Sequence, residues 1–522
     1  MPFDMNRLLS RRFPIAVAAF ARVFVVIALF GGSALIVPAA NAQQTNAQQS
    51  NAQQTDAHSA EVLTLEESIG RAQAESPGAR IARYRFRESE WGFKSFRTDY
   101  LPQLSLTASG PGLERSISDI QQDDGSIRYV QQSRTFARAG VSVQQNIPGT
   151  GGALSLSSGL SRIDQFGDFD FSQWQSTLLS VGLIQPIFQF NALKWNRRIQ
   201  PLQFDVDRRQ YSEEMAGIAV NITNAFFDVV IAQMDMDNAQ FNIAVNDTIY
   251  ALSTGRYEIG TIAENELLQS ELELLNAQSA AATARVDFER ATQNLKTALG
   301  LDYDAEISVQ PPAHVPDDEI DPDVAVAQAR QHQSAYRNFE LEEVSARRDL
   351  DQARKSNGFG ANLTAQFGLN QSADAFDLVY QNLLNSQRLS VNLQVPIVQW
   401  GRGKAEIEGA RASLRRLEED QELERREIEQ DVYFEAVRFI QLREQVRVAA
   451  KADTVATRRF EVARNRYTIG RIDVTDLFNA QREKDSARTS YVRTLRDCWL
   501  SYYRLRQLTL FDFGTGGTVV LE

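Results

Sequence analysis

A segment of this chain occurs twice, and the distance between the copies recurs elsewhere. RYEIGTI at Arg256–Ile262 returns as RYTIGRI at Arg466–Ile472. The distance from Arg256 to Arg466, here called the repeat interval, also separates Pro186 from Pro396 in the segments QPIFQF and VPIVQW. In each half, the proline and the tyrosine of the repeated segment are therefore equally far apart. A constant period of this kind indicates that the chain folds one structural unit twice.

Between the proline and the tyrosine, apolar residues recur in steps of four and three. Ten of the twelve positions in this register from Ile428 to Tyr467 are apolar, and so are ten of the twelve from Ile218 to Tyr257. A seven-residue repeat of this length predicts helices that pack as a coiled coil. About 65 residues would form a rod of about 100 Å. Ordinary core helices are the alternative, but they rarely exceed about 25 residues.

Each rod is predicted to end at its repeated segment. Gly260 and Gly470 allow the backbone to leave the helix, and second helices over Glu264–Gly300 and Asp473–Leu510 would run back alongside. The chain is therefore predicted to contain two long helical hairpins. A proline-rich acidic linker over residues 311–322 separates a first repeat (63–310) from a second repeat (323–513), which is followed by a tail at 514–522.

Segments with strict alternation of apolar and polar residues precede the rods. Such strands, apolar on one face and polar on the other, are typical of a transmembrane β-barrel; a soluble β-sandwich is the alternative. Four strands cannot close a barrel, so one chain is not enough. Three chains would give a twelve-stranded barrel above twelve helical segments. The four candidate strands lie at residues 103–109, 176–185, 362–370 and 388–395.

The first half also contains a surplus of alternating sequence. The stretch from Leu106 to Pro186 is more than twice as long as the matching stretch from Leu363 to Pro396. The surplus includes two further alternating runs at residues 137–145 and 153–161, which predict an extra hairpin of undetermined position. Nearby aromatic residues would either join an interfacial girdle or fill the core of that hairpin; they are Phe166, Phe169, Phe171 and Trp174.

The N-terminus has the pattern of a signal peptide. Arg7, Arg11 and Arg12 precede an apolar run at Val23–Val37, and Ala40–Ala42 offers small residues for cleavage after residue 42. An uncleaved membrane anchor is the alternative, but a helix needs about 20 residues to span a bilayer, and this apolar run is shorter. A polar leader rich in Asn, Ala and Gln (43–62) follows. Cleavage would remove more arginines than acidic residues from a chain whose net charge is already −12, which argues against a nucleic-acid partner.

Residues for catalysis or metal binding are scarce. The single cysteine, Cys498, excludes an internal disulfide and a thiolate metal cluster, and it is expected to pack as a small apolar residue. The three histidines lie far apart in the sequence. No nucleophile, base or ligand set stands out, so we expect neither an enzyme nor a bound cofactor or metal.

Taken in order, these segments resemble the TolC-type outer membrane efflux factors, the exit ducts of tripartite pumps and type I secretion systems. The resemblance runs from Leu63 to about Phe513. It is carried by the opening LTLEESIGRAQAESPGAR, the strand entry YLPQLSLTA, the paired QPI and VPI strand exits, and the two RYxIG tips followed by ENELLQSE and VTDLFNAQ.

The resemblance implies a mainly α fold with a transmembrane β part. Long helical hairpins would form a periplasmic α-barrel, and about four membrane strands per chain would enter a trimeric twelve-stranded β-barrel. It further implies a homotrimer in contact with outer membrane lipid, a periplasmic adaptor protein and an inner membrane transporter. The implied location is the outer membrane, with a large periplasmic portion.

The resemblance also implies functional residues at the hairpin tips. Those implied in adaptor docking are Tyr257, Ile259, Gly260, Thr261, Tyr467, Ile469 and Gly470. A periplasmic gate ringed by acidic residues would involve Asp476, with Asn479 in place of a second acidic residue and Arg471 in place of a small or hydroxyl residue. The alternative is that Asp476 only caps or is solvated at the start of the return helix.

The expected function is therefore an outer membrane channel-tunnel that conducts substrates from a periplasmic adaptor and an inner membrane pump to the exterior. Small-molecule efflux is the favoured cargo class, and protein export in a type I secretion system is the alternative. A periplasmic coiled-coil scaffold or adhesin is an alternative of another class, but it would not explain the strands that precede each rod.

Overall fold

A computed structural model of the protein describes residues 61–167 and 170–519. The predicted signal peptide (1–42), nearly all of the predicted leader (43–62) and Phe169 lie outside the described residues. In the described part the chain forms helices α1 (Leu65–Glu75), α2 (Pro77–Thr98), α3 (Ala192–Glu258), α4 (Glu264–Leu299), α5 (Pro322–His332), α6 (Ser334–Ser356), α7 (Arg402–Thr468) and α8 (Val474–Thr509).

The strands in the same ranges are β1 (Glu61–Leu63), β2 (Gln103–Gln121), β3 (Ile127–Ile147), β4 (Gly152–Phe166), β5 (Phe171–Ile187), β6 (Ile307–Val309), β7 (Gly360–Ala373), β8 (Leu384–Gln394), β9 (Phe511–Asp512) and β10 (Gly517–Thr518). Two short pairs lie outside the main sheet: β1 pairs in parallel with β6, and β9 pairs antiparallel with β10.

The duplication predicted from the sequence is exact in the helical hairpins: corresponding helices have the same length and the same offset. The rods α3 and α7 each contain 67 residues, and the return helices α4 and α8 each contain 36. All four corresponding helix ends are offset by the same repeat interval. The predicted heptad positions of α7 are all buried or partly buried, and of those in α3 only Tyr257 is exposed. The predicted pair of long helical hairpins is confirmed.

The hairpins lie side by side, and their helices form a row in the order α4, α3, α8, α7. The main core lies where α3, α7 and α8 meet the shorter helices, and its largest fully buried side chains include Phe226, Phe227 and Phe439. Cys498 is fully buried there, and burial raises the pKa of its thiol to about 11. It therefore packs as an uncharged apolar residue, as expected.

One helix in the described residues, α3, is long and apolar enough to cross a membrane by those two criteria. Half of its most apolar segment is buried inside the protein. This apolarity is explained by the central place of α3 in the helix row, where α4 covers one side and α8 the other.

The six long strands form one antiparallel sheet in the order β2, β3, β4, β5, β7, β8. The expected mainly α fold with a β part is confirmed, but the number of strands is corrected from four to six. The extra hairpin predicted around residues 137–161 belongs to this sheet, because β3 and β4 pair with each other and with the strands on either side. Three such chains would supply eighteen strands, not twelve.

The strand register sorts the side chains onto two faces. Paired residues point to the same face, so Leu104, Val143 and Leu156 share one face through the pairs Leu104↔Val143 and Val143↔Leu156. The apolar face continues through Val181, Leu183, Phe367, Leu389 and Val391. On the opposite, polar face lie Ser105, Ser142, Ser157, Ser180, Thr364 and Ser390. This is the division expected for a wall between lipid and water.

Candidate functional site

The two RYxIG segments close their hairpins with the same backbone motif. Gly260 and Gly470 adopt φ angles of +74° and +73°, a conformation that favours glycine. In the first tip, the Gly260 N–H donates to the Tyr257 carbonyl (2.8 Å) and the Thr261 N–H to the Arg256 carbonyl (2.9 Å). The second tip repeats both bonds at the equivalent positions. Each is a Schellman motif, which ends a helix and satisfies its last carbonyls.

The residues implied in adaptor docking fall into two groups. Ile259 and Ile469 are 74% and 66% exposed, and Tyr257 is also exposed, so these side chains are open to a partner in the single chain. Tyr467, by contrast, is 4% exposed. The two tyrosines occupy equivalent places in the sequence but different places in the packing, and only Tyr257 presents its ring at the surface.

Tyr467 is buried because it joins the two hairpins. Its hydroxyl lies 2.9 Å from the Ser253 Oγ, so this hydrogen bond joins the tip end of α7 to the tip end of α3. The Arg256 guanidinium reaches over the Tyr467 ring at 5.0 Å and donates to the carbonyls of Tyr467 and Thr468, both at 3.0 Å. Arg256 therefore ties the end of the first rod to the end of the second.

The counterpart arginine does not repeat this contact. Within the described ranges Arg466 makes no ion pair or side-chain hydrogen bond. Neither Arg256 nor Arg466 was assigned a role of its own in the sequence analysis. The repeated motif alone could not reveal the difference, because the same arginine stands in both copies and only the packing of one rod on the other distinguishes them.

Substitution of Arg256 by alanine should loosen the second tip. Hydrogen bonds from a charged donor contribute about 1.5–3 kcal/mol each, and less where water reaches the group. We expect amide hydrogen exchange in residues 467–472 to become about tenfold faster, because local opening becomes more frequent. The matched control is Arg466→Ala, which removes the same side chain from the equivalent place. Equal exchange rates in the two variants would contradict the bridging role of Arg256.

The residues implied in the gate lie just beyond the second tip. Asp473 caps α8, since its carboxylate accepts the Asp476 backbone N–H at 2.8 Å. Asp476 is the third residue of the helix, and its side chain is exposed. The capping role therefore belongs to Asp473. Asp476 lies in the first turn, where a carboxylate is favoured by the helix dipole.

The other two gate residues do not pair with Asp476. The Asn479 side-chain oxygen accepts from the Arg482 guanidinium, one turn further along α8. Arg471 contributes its backbone N–H to the Schellman motif, and among the described residues no ion pair joins it to Asp476. In a single chain the Asp476 carboxylate is thus left facing solvent without a cation beside it.

Metal ligands are not grouped at this site. Across residues 61–167 and 170–519, no group of three or more His, Cys, Asp or Glu side chains is placed to hold a metal ion. The tips offer apolar side chains, backbone turns and single charges. Such an arrangement is suited to contact with another protein or a solute.

Comparison with known proteins agrees with this geometry. The sequence pattern of the outer membrane efflux protein family matches residues 68–301 and 325–509, one segment for each repeat. Protein CyaE of Bordetella pertussis is 22% identical over 268 residues, which are 51% of this chain. The chain thus spans about half the length of that relative, 56% of it.

Solved structures show the same fold at low sequence identity. The CmeC outer membrane channel of Campylobacter jejuni matches with a TM-score of 0.64 at 15% identity, over 94% of this chain and 96% of that one. The outer-membrane channel OprN matches with a TM-score of 0.63 at 14% identity, over 87% and 90% of the two chains. Because the family pattern covers most of the chain and both of its repeats, the protein belongs to the outer membrane efflux protein family.

Proposed function

We propose that the chain assembles as a homotrimeric outer membrane duct that carries small molecules from a periplasmic adaptor and an inner membrane pump to the exterior. The observation that carries this proposal is that both layers of the single chain, the sheet and the helix row, end on open edges. A duct can be closed only by placing further copies on those edges.

The sheet supplies the first pair of open edges. In the described residues β2 pairs only with β3 and β8 pairs only with β7, which leaves one side of each edge strand unpaired. Within lipid, each unpaired backbone group costs several kcal/mol. Pairing of β8 in one copy with β2 in the next satisfies these groups and closes a barrel with its apolar face outward.

The helix row supplies the second pair of open edges. The outer helix α7 carries a valine stripe (Val448, Val455 and Val462) at heptad spacing, and each of these side chains is at least half exposed. The outer helix α4 carries a leucine stripe (Leu268 and Leu275) with the same spacing and similar exposure. These stripes have the pattern of a coiled-coil contact that lacks its partner.

The two stripes lie at matching distances from the hairpin tips. Val462 precedes Gly470 by as many positions as Leu268 follows Gly260. The next member of each stripe, Val455 or Leu275, lies one heptad further from its glycine. A head-to-tail arrangement therefore places the valine stripe of one copy against the leucine stripe of the next. Head-to-tail contacts of this kind form a ring when the rotation from copy to copy closes.

The tips and Asp476 would serve at the periplasmic end of this duct. Ile259 and Ile469 are exposed beside the two Schellman glycines and offer apolar contacts to the tip of an adaptor. Threefold symmetry would gather three Asp476 carboxylates near the axis, where their mutual repulsion favours binding of a cation. We propose this ring as the periplasmic gate.

Deletion of the gene in its host tests the proposed function. Loss of a small-molecule efflux duct should raise the cellular accumulation of small fluorescent dyes several-fold, and expression of the wild-type chain should reverse the rise. If dye accumulation stays unchanged while a secreted polypeptide disappears from the medium, the chain is instead the duct of a protein secretion system. If neither changes, the proposed function is wrong.

A further inference from the structure

The polar face of the sheet carries an excess of positive charge. Following the strand register, its charged side chains are Glu114 on β2, Arg128, Arg134 and Arg138 on β3, and Arg388 on β8. Among the described strand residues, Glu114 is the only carboxylate on this face. Four arginines and one glutamate leave the polar face with a net charge of +3 per chain, although the whole chain has a net charge of −12.

One of these arginines is neutralised and three are not. Arg134 pairs with Glu114 directly across the two strands, with a nitrogen–oxygen distance of 2.7 Å. In the part of the chain that the structure describes, Arg128, Arg138 and Arg388 form no ion pair. Their guanidinium groups are exposed and retain their hydrogen-bond donors.

On the opposite, apolar face the positive and negative charges are equal in number. Its charged residues are two arginines, Arg115 and Arg162, and two aspartates, Asp119 and Asp164. Arg162 contacts Asp164 at 2.8 Å. The excess of arginine is thus confined to the face that the barrel would turn toward water.

From this asymmetry we propose that the barrel lumen binds and passes organic anions that carry carboxylate or phosphate groups, and that Arg138 and Arg388 form the binding site. This inference rests on the proposed function, because the polar face becomes a lumen only in the closed duct.

The positions of Arg388 and Arg138 suit this role. Arg388 stands on β8 beside Leu389 and Val391 of the apolar band, at a depth where a guanidinium is stable only if it faces water or an anion. Arg138 stands on β3, the second strand of the sheet. When β8 of one copy pairs with β2 of the next, only β2 lies between Arg388 and β3 of that copy, and the two strands are about 10 Å apart around the barrel wall. The separation of Arg388 and Arg138 along the strands is then set by the register of β8 on β2. Guanidinium groups bind carboxylate and phosphate through paired hydrogen bonds.

Block by a polyanion tests the proposal in planar bilayers. Tripolyphosphate added on the barrel side should reduce the potassium chloride current through wild-type channels. In Arg138→Gln/Arg388→Gln channels, the concentration needed for half block should rise at least tenfold. The single variant Arg388→Gln, on the edge strand, should give part of this shift and serves if the double variant assembles poorly.

The matched control is Arg115→Gln/Arg162→Gln, which removes the same charge from the apolar face. Its half-blocking concentration should stay within twofold of the wild-type value. Unchanged block in the polar-face variants, or an equal shift in the control, would overturn the assignment. If the wild-type protein conducts normally and tripolyphosphate does not block it, the arginine site is wrong and the duct proposal stands. Absence of any conductance would reject the duct itself.

Discussion

The double variant Val455→Glu/Val462→Glu is expected to purify as single chains. Both valines lie on the valine stripe of α7, exposed in one chain and proposed to face the leucine stripe of the next copy. Each substitution would place an unpaired carboxylate in that contact, at an effective cost of several kcal/mol per charge. A trimer would contain three contacts between copies, and each contact would include two of the introduced carboxylates. Light scattering of the detergent-solubilised protein should therefore report the mass of one chain where the wild type gives three.

A neighbouring residue supplies the control for this result. Thr454 is exposed on the same helix but lies about 100° around the axis from Val455. Thr454→Glu adds the same charge outside the stripe and should leave the trimer intact. A trimer that survives both stripe substitutions would refute the proposed contact between copies. Dissociation in the Thr454 variant would indicate a general effect of charge on α7.

Asp476→Ala is expected to have the second largest effect, on block of the channel by multivalent cations. Three converging carboxylates hold a trivalent cation far better than neutral side chains do, because each carboxylate adds a favourable interaction with the cation in a confined space. We expect the cobalt hexammine concentration for half block from the periplasmic side to rise at least tenfold. Single-channel conductance should also increase, because cations held by the ring no longer obstruct the opening.

Glu266 provides a matched control within the same molecule. It is the third residue of α4, as Asp476 is the third residue of α8, so the two occupy equivalent positions of the two repeats. Glu266→Ala therefore removes a carboxylate from the same turn of the other hairpin. Equal effects of the two variants would mean that block reflects the general charge of the tips. Block unchanged by Asp476→Ala would reject the gate.

The helical half of the fold was predictable because its signals are local and periodic. The heptad pattern predicted the positions of both rods. Gly260 and Gly470 predicted the positions of both turns, because a glycine in the left-handed conformation commonly ends a helix. The alternating strands were predictable for the same reason. Their number was not, because alternation alone does not tell whether an extra hairpin joins an existing sheet or folds separately. Only the pairing of β3 with β4, and of β4 with β5, decides this.

The tip contacts were harder to predict because they depend on how the two hairpins pack against each other. Tyr257 and Tyr467 occupy equivalent places in the two RYxIG segments, yet one is exposed and the other is covered by Ser253 and Arg256. The charge of the polar face could not be assigned from sequence either. The bulge between Ser109 and Gly112 changes the parity of the facing residues in β2, so that Glu114 lies on the polar face while Arg115 and Asp119 lie on the apolar face.

The first repeat is longer than the second, and the position of its extra residues shows which parts of such a chain can lengthen. The helices that precede the strands in each repeat are α1 and α5, and they are further apart in sequence than the two rods, which are separated by the repeat interval. All the extra residues of the first repeat therefore lie between α1 and α3. The chain must leave the antiparallel sheet on the side where it entered, so the sheet can gain strands only in pairs, as whole hairpins. The rods have no such freedom: a heptad lost from one alone would leave its tip about 10 Å short of the other. Pore width can therefore vary between relatives by insertion in one repeat, but reach into the periplasm requires matched changes in both.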